Sequence, residues 1–201
     1  MMCVLGFQYL RTRQIIVPVV TAPKTTPTPQ PTFALVPPSE AVSGTLAVLS
    51  GHAEKFSRND TEYKEASTGA QILVGESIAT KDNSIAAATV SGIVSVTMNP
   101  STELVFANLF PNDFMLQQKS GKIDYLVAKP ISVRVLHSLV TINSGEMIIN
   151  SIDTDMSITV KTGSVKFALV DNNNNTNVWN LKAGQRANID DSYRQVYLVR
   201  P

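Results

Sequence analysis

The sequence is short of several things that usually announce an activity: it has one cysteine and two histidines in 201 residues, and no apolar run long enough to cross a bilayer. Each shortage removes a class of protein. Cys3 alone cannot form an internal disulfide, so the fold rests on its core, and the cysteine count is silent about the compartment. His52 and His137 stand without a cysteine or second histidine at ligand spacing, which leaves zinc unsupported. His137 precedes Ser138, yet neighbours along a strand point to opposite faces, so no nucleophile–base pair is expected and both histidines read as surface or edge residues. There is no phosphate-cradling glycine loop, no GxSxG and no HExxH. The expectation is a non-enzymatic protein with no catalytic residues, no metal and no cofactor.

Charge excludes another class. The net charge is +1, but Arg11, Arg13 and Lys24 occupy the first 39 residues without any acid, leaving 14 basic against 16 acidic residues downstream. That body is mildly acidic and lacks the clustered Lys and Arg of a nucleic-acid surface. Nucleic acid is therefore not an expected partner.

What is present divides into three parts. Residues 1–17 open with MMCVLGFQYL, an apolar stub only half as long as the ~20 residues of a spanning helix. A few basic residues and a Pro/Thr-rich linker over 18–42 follow, an order expected where a membrane anchor hands over to an external domain. The stub thus reads as the end of an anchor whose start lies upstream. Residues 43–201 form the third part, a β domain.

Within it, alternating apolar positions predict strands near 45–49, 52–56, 71–74, 77–80, 84–90, 93–98, 102–106, 114–118, 122–127, 132–136, 139–142, 146–150, 156–161, 164–170, 177–181, 185–189 and 194–199. The alanine-rich 84–90 is too short for an independent helix and is read as a strand. The fold class is all-β: short strands stacked or sandwiched, as a double sheet or a short solenoid. The phrases KSGKIDYLV (119–127) and KTGSVKFAL (161–169) repeat one pattern, a lysine and a glycine ahead of an alternating run. Gly75, Gly92, Gly121, Gly163 and Gly184 read as structural turns, the corners where one strand passes into the next. The alternative is that Lys119 and Lys161 mark a two-pronged basic site for an anionic partner. DNNNN (171–175) has oxygens at calcium-loop spacing but Thr176 and Lys182 where such a loop needs Gly and Glu, so it reads as a hairpin loop. Asp153 and Asp155 read as a solvated turn.

In that order, LVGESIATKDNSIAAATVSGIVSVTMNPSTELVF (73–106), LQQKSGKIDYLV, SLVTINSGEMII, SITVKTGSVKFALV and LKAGQRANI make the body resemble the FecR domain family of bacterial envelope proteins over roughly residues 44–190. It departs from that family's pattern at Ser91, where an acid is common, and at Ser144–Gly145, where Gly-Thr is common. The resemblance implies an extracytoplasmic module, periplasmic or at the cell surface and tethered to the membrane, that binds or senses an envelope protein or glycan. The family's best-known members relay a signal to a sigma factor through a cytoplasmic N-terminal segment; no such segment precedes the stub, so sigma-factor control is the lesser expectation. A structural, self-associating surface protein is the other reading of a body so rich in strands. The ligand itself is not written in the sequence.

Overall fold

A computed structural model describes residues 40–199; the stub expected over 1–17 and nearly all of the linker expected over 18–42 lie outside the described residues. The described chain is all-β. Its strands are β1 (Gly44–Ser50), β2 (Ala53–Phe56), β3 (Lys64–Ala66), β4 (Gln71–Ile72), β5 (Ser77–Thr80), β6 (Ile85–Val90), β7 (Val94–Met98) and β8 (Glu103–Phe110). There follow β9 (Asp113–Val127), β10 (Ile131–Val135), β11 (Ser138–Ile152), β12 (Asp155–Val170), β13 (Thr176–Lys182), β14 (Arg186–Asp190) and β15 (Gln195–Val199). The segment 84–90 is indeed a strand, β6, whereas β3 was not legible.

Three of these strands are far longer than expected, and they organise the molecule. The runs 114–118 and 122–127 are one strand, β9; 139–142 and 146–150 are β11; 156–161 and 164–170 are β12. Gly121 and Gly163 are therefore not corners between strands but bends inside them, as is Gly145. Gly75, Gly92 and Gly184 lie in turns between strands.

At each bend the strand changes partners. The first part of β9 pairs with β8 and, in parallel, with β10; its second part pairs with β7 and β11. The first half of β11 lies beside β10 and the second beside β9, while β12 pairs with β14 before Gly163 and with β13 after it. The pairings resolve into two layers. One runs β4–β1–β6–β7–β9–β11–β12–β14–β15 and the other β3–β2–β5–β8–β9–β10–β11–β12–β13, and β9, β11 and β12 belong to both. Strands that switch sheets through bulges or bends are a known way of closing a sandwich.

Burial explains why a glycine is needed at the switch. Phe114, Leu116 and Gln118 are buried before the bend in β9 and Ile123, Tyr125 and Val127 after it, so the inward set passes from even to odd positions. The change recurs in β11 (Val140 and Ile142, then Met147 and Ile149) and in β12 (Met156, Ile158 and Val160, then Val165, Phe167 and Leu169). A side-chain period of two cannot change phase unless one residue is taken up by a bulge. The β11–β12 register slips there, between Ile142 and Gly145 and again between Glu146 and Met147. Gly121 at φ +84° and Gly163 at φ +80° adopt the left-handed geometry that such a bend requires. Space allows nothing larger: a Cβ would stand 2.2 Å from Thr102 Oγ1 at Gly121 and 2.3 Å from the Ser144 carbonyl oxygen at Gly163. The apolar residues turned inward from both layers form one continuous core.

Candidate binding cleft

The ends of β10, β11, β12 and β13 leave their connecting loops at one end of the second layer, where the β14–β15 turn of the first layer meets them. Together they enclose an open cleft of about 740 Å³, lined among others by Arg134, His137, Leu139, Val170, Asp171 and Arg194. His137 occupies the two-residue β10–β11 turn, and its Nδ1 lies 2.7 Å from Oδ2 of the buried Asp191 in the β14–β15 turn. A carboxylate only accepts, so Nδ1 carries the proton and donates. That bond ties the turns of the two layers together.

The rim is held in an uncommon backbone geometry. Leu136, Asn174 and Arg194, one from each surrounding turn, have φ of +50°, +61° and +55°. Leu136 keeps this conformation because its side chain packs on the core, and the cost is on the order of 1 kcal/mol. Asp171 anchors the DNNNN loop by accepting from the backbone N–H groups of Asn173 and Asn175, both at 2.9 Å, and from Asn177 Nδ2 at 3.1 Å. Those donors, that of Asn175 first, hold its carboxyl below the usual 3.8. The loop is a hairpin whose carboxylate is engaged internally.

The two arginines are differently placed. Arg194 donates from one guanidinium nitrogen to the Val170 carbonyl at 3.0 Å, and neither it nor Arg134 has a carboxylate within ion-pair distance among the described residues. Register places Arg134 opposite Leu139, Leu139 opposite Ala168, and Ala168 opposite Val178. Cross-strand partners share a face, so an exposed aliphatic row runs across the second layer from a guanidinium group.

The residues singled out from sequence fall elsewhere or play other parts. Lys119 Nζ lies 2.6 Å from Glu103, and Lys161 Nζ lies 2.6 Å from Glu146 and 3.4 Å from Asp124. Each lysine has its own carboxylate partner, and what the two phrases share in the structure is the bend. His52 is an exposed histidine whose Nδ1 faces Glu65 at 3.1 Å. His137 is also largely exposed, but it is held by a buried acid. The Ser138 hydroxyl is buried and has no protein hydrogen-bond partner, His137 included. Asp153 lies in the β11–β12 turn at φ +53°, and no cluster of three His, Cys, Asp or Glu residues suited to a metal occurs among the described residues.

Two positions that sequence did not single out hold the bends and the turns. Gln118 is buried at the β9 bend, where its Nε2 donates to the carbonyls of Gly121 (2.7 Å) and Ile149 (3.2 Å) while its Oε1 accepts from the Tyr125 hydroxyl (3.0 Å). Glu76 is buried behind the β4–β5 turn and accepts from the Leu73 N–H at 2.8 Å and the Ser57 hydroxyl at 2.5 Å, with Lys55 at 3.1 Å. Neither had a local sequence signal.

No family model matches the chain, and no curated protein matches it in sequence. Two crystal structures described as a "putative anti-sigma factor" from Parabacteroides distasonis are similar in fold: both superpose with a TM-score of 0.54, at 16% and 18% identity. The match covers 62% of this chain and 59% of those proteins, so the chain spans less than two thirds of their length. At that identity the likeness concerns the fold.

Proposed function

We propose that this chain is a non-enzymatic binding or sensing module of the FecR kind, carried outside the cytoplasm on a membrane tether, and that it recognises an envelope partner at the Arg134–Arg194 cleft. The observation that carries the reading is a cleft built where three turns of positive φ converge, with two guanidinium groups that have no carboxylate partner among the described residues. Such strained rims concentrate at ligand clamps. The order of the five FecR-like sequence blocks supports the family. The fold likeness to proteins described as anti-sigma factors supports a regulatory context, in which relay to a sigma factor is the narrower form of the same idea. The stub and proline-rich linker ahead of the body support the tether.

A photo-crosslinking residue at Leu139 tests this in cells. Expected is an envelope-fraction protein with a discrete crosslinked product that disappears in the Arg134→Gln, Arg194→Gln double variant. A cytosolic protein, or a product indifferent to the double variant, contradicts the reading. A second reading, self-association at the cell surface, is favoured by β15, which among the described residues pairs only with β14 and exposes Tyr197, Leu198 and Val199. Sedimentation that shifts with concentration supports it, and a constant monomer does not.

A further inference from the structure

The geometry points to the cleft as a receptor for the carboxylate end of an aliphatic chain. The inference rests on reading the domain as a binding module and adds the chemistry of what is bound. The polar half of the argument is hydrogen-bonding capacity. Guanidinium groups present a planar fork that matches a carboxylate, and Arg194 commits only part of its fork to the Val170 carbonyl, which fixes its head at the end of β12. Arg134 stands exposed on β10, one cross-strand step from Leu139.

The apolar half is the row beside it. Leu139, Val170 and Val178 are 40%, 39% and 48% exposed, and with Ala168 they form a strip three strands wide that leads away from Arg134. An anion joined to an aliphatic segment satisfies both halves at once. The volume of about 740 Å³ falls in the usual range for small-ligand sites, roughly 300–1,000 Å³.

Competing anions fit less well. The Asp171 carboxylate lines the same cleft and repels a phosphate dianion more strongly than a carboxylate monoanion. A sugar acid would want an aromatic ring to stack on, and no Phe, Tyr or Trp among the described residues lines the cleft. Two sources share the remaining chemistry: a free aliphatic carboxylic acid, and the C-terminus of a peptide ending in aliphatic residues.

Titration of the full chain, followed by amide chemical shifts, separates them. The probes are octanoate, octanol, an acetylated Ala-Leu-Leu peptide acid and the corresponding peptide amide. Expected are saturable shifts at Leu139, Ala168 and Val170 with at least one acid, about tenfold weaker binding of its uncharged counterpart, and a loss of about tenfold in each of Arg134→Gln and Arg194→Gln. Lys161→Gln serves as a surface control and keeps wild-type affinity. Octanoate binding alone assigns a small carboxylic acid, and peptide-acid binding alone assigns a chain terminus. Equal binding of acid and uncharged probe, shifts indifferent to both arginine variants, or no saturable shift with any probe overturns the inference. The crosslinking result stands independently, since a partner can dock at Leu139 without presenting a carboxylate.

Discussion

At the scale of single residues, the glycines separate into two kinds that share a sign of φ but differ in surroundings. Gly92, at φ +69°, has open space where a Cβ would go, whereas Gly121 and Gly163 have Thr102 and the Ser144 carbonyl within 2.3 Å of that point. Alanine at Gly92 should cost only the left-handed penalty, about 1 kcal/mol. Alanine at Gly121 or Gly163 adds a clash with neighbouring backbone or β-carbon and should cost about 3 kcal/mol or more. Urea denaturation of the three variants checks the ranking; equal losses at all three would mean that the bends are ordinary turns. The requirement for glycine was legible in the sequence, because each follows a hydroxyl residue and precedes an alternating run. What it was for was not. A phase change in the burial pattern looks the same whether a strand ends or bulges, and only the pairing of β9 with both β8 and β7 distinguishes the two.

At the scale of elements, most strands announced themselves by alternation, and β3 did not because a three-residue strand with one buried position, Ala66, has no period to detect. The β4–β5 turn shows a different limit, since its stability rests on Glu76, which contacts Ser57 and Lys55 about twenty residues upstream. Burial alone pushes the Glu76 carboxyl up, but hydrogen bonds from Ser57, Leu73 and Lys55 outweigh it and hold the group below its usual 4.5. The folded state therefore takes up this proton less readily than the unfolded chain. The resulting stabilisation is complete above pH 4.5 and is lost as the pH falls below it. In Glu76→Gln the acid-side fall in stability should be shallower than in wild type while the neutral-pH value drops. An unchanged acid limb would show that Glu76 is not the group responsible.

At the scale of the whole molecule, the cleft was illegible for a topological reason. Arg134 on β10 and His137, Asp171 and Arg194 in the loops after β10, β12 and β14 are spread over residues 134–194, and they meet only because β12 crosses between layers and carries β13 and β14 on its two halves. Local reading marked the His137–Ser138 pair and the DNNNN loop as candidates and explained each by itself; nothing in the chain order placed them together or added the arginines. The all-β class was legible, since it depends on period and punctuation. A double sheet was one of the two forms expected, but the closure of its layers through β9, β11 and β12 was not legible, since it depends on three bends acting in concert.

That closure is the central claim: β9, β11 and β12 make the two layers one cooperative unit and thereby set the cleft in place before any partner arrives. Native-state hydrogen exchange of the full chain tests it most directly. Buried ladder amides of the first layer, such as Val96 and Ile158, and of the second, such as Val133 and Phe167, should open with one common free energy equal to that of global unfolding. Two distinct free energies, with one layer exchanging while the other stays protected, would contradict the account.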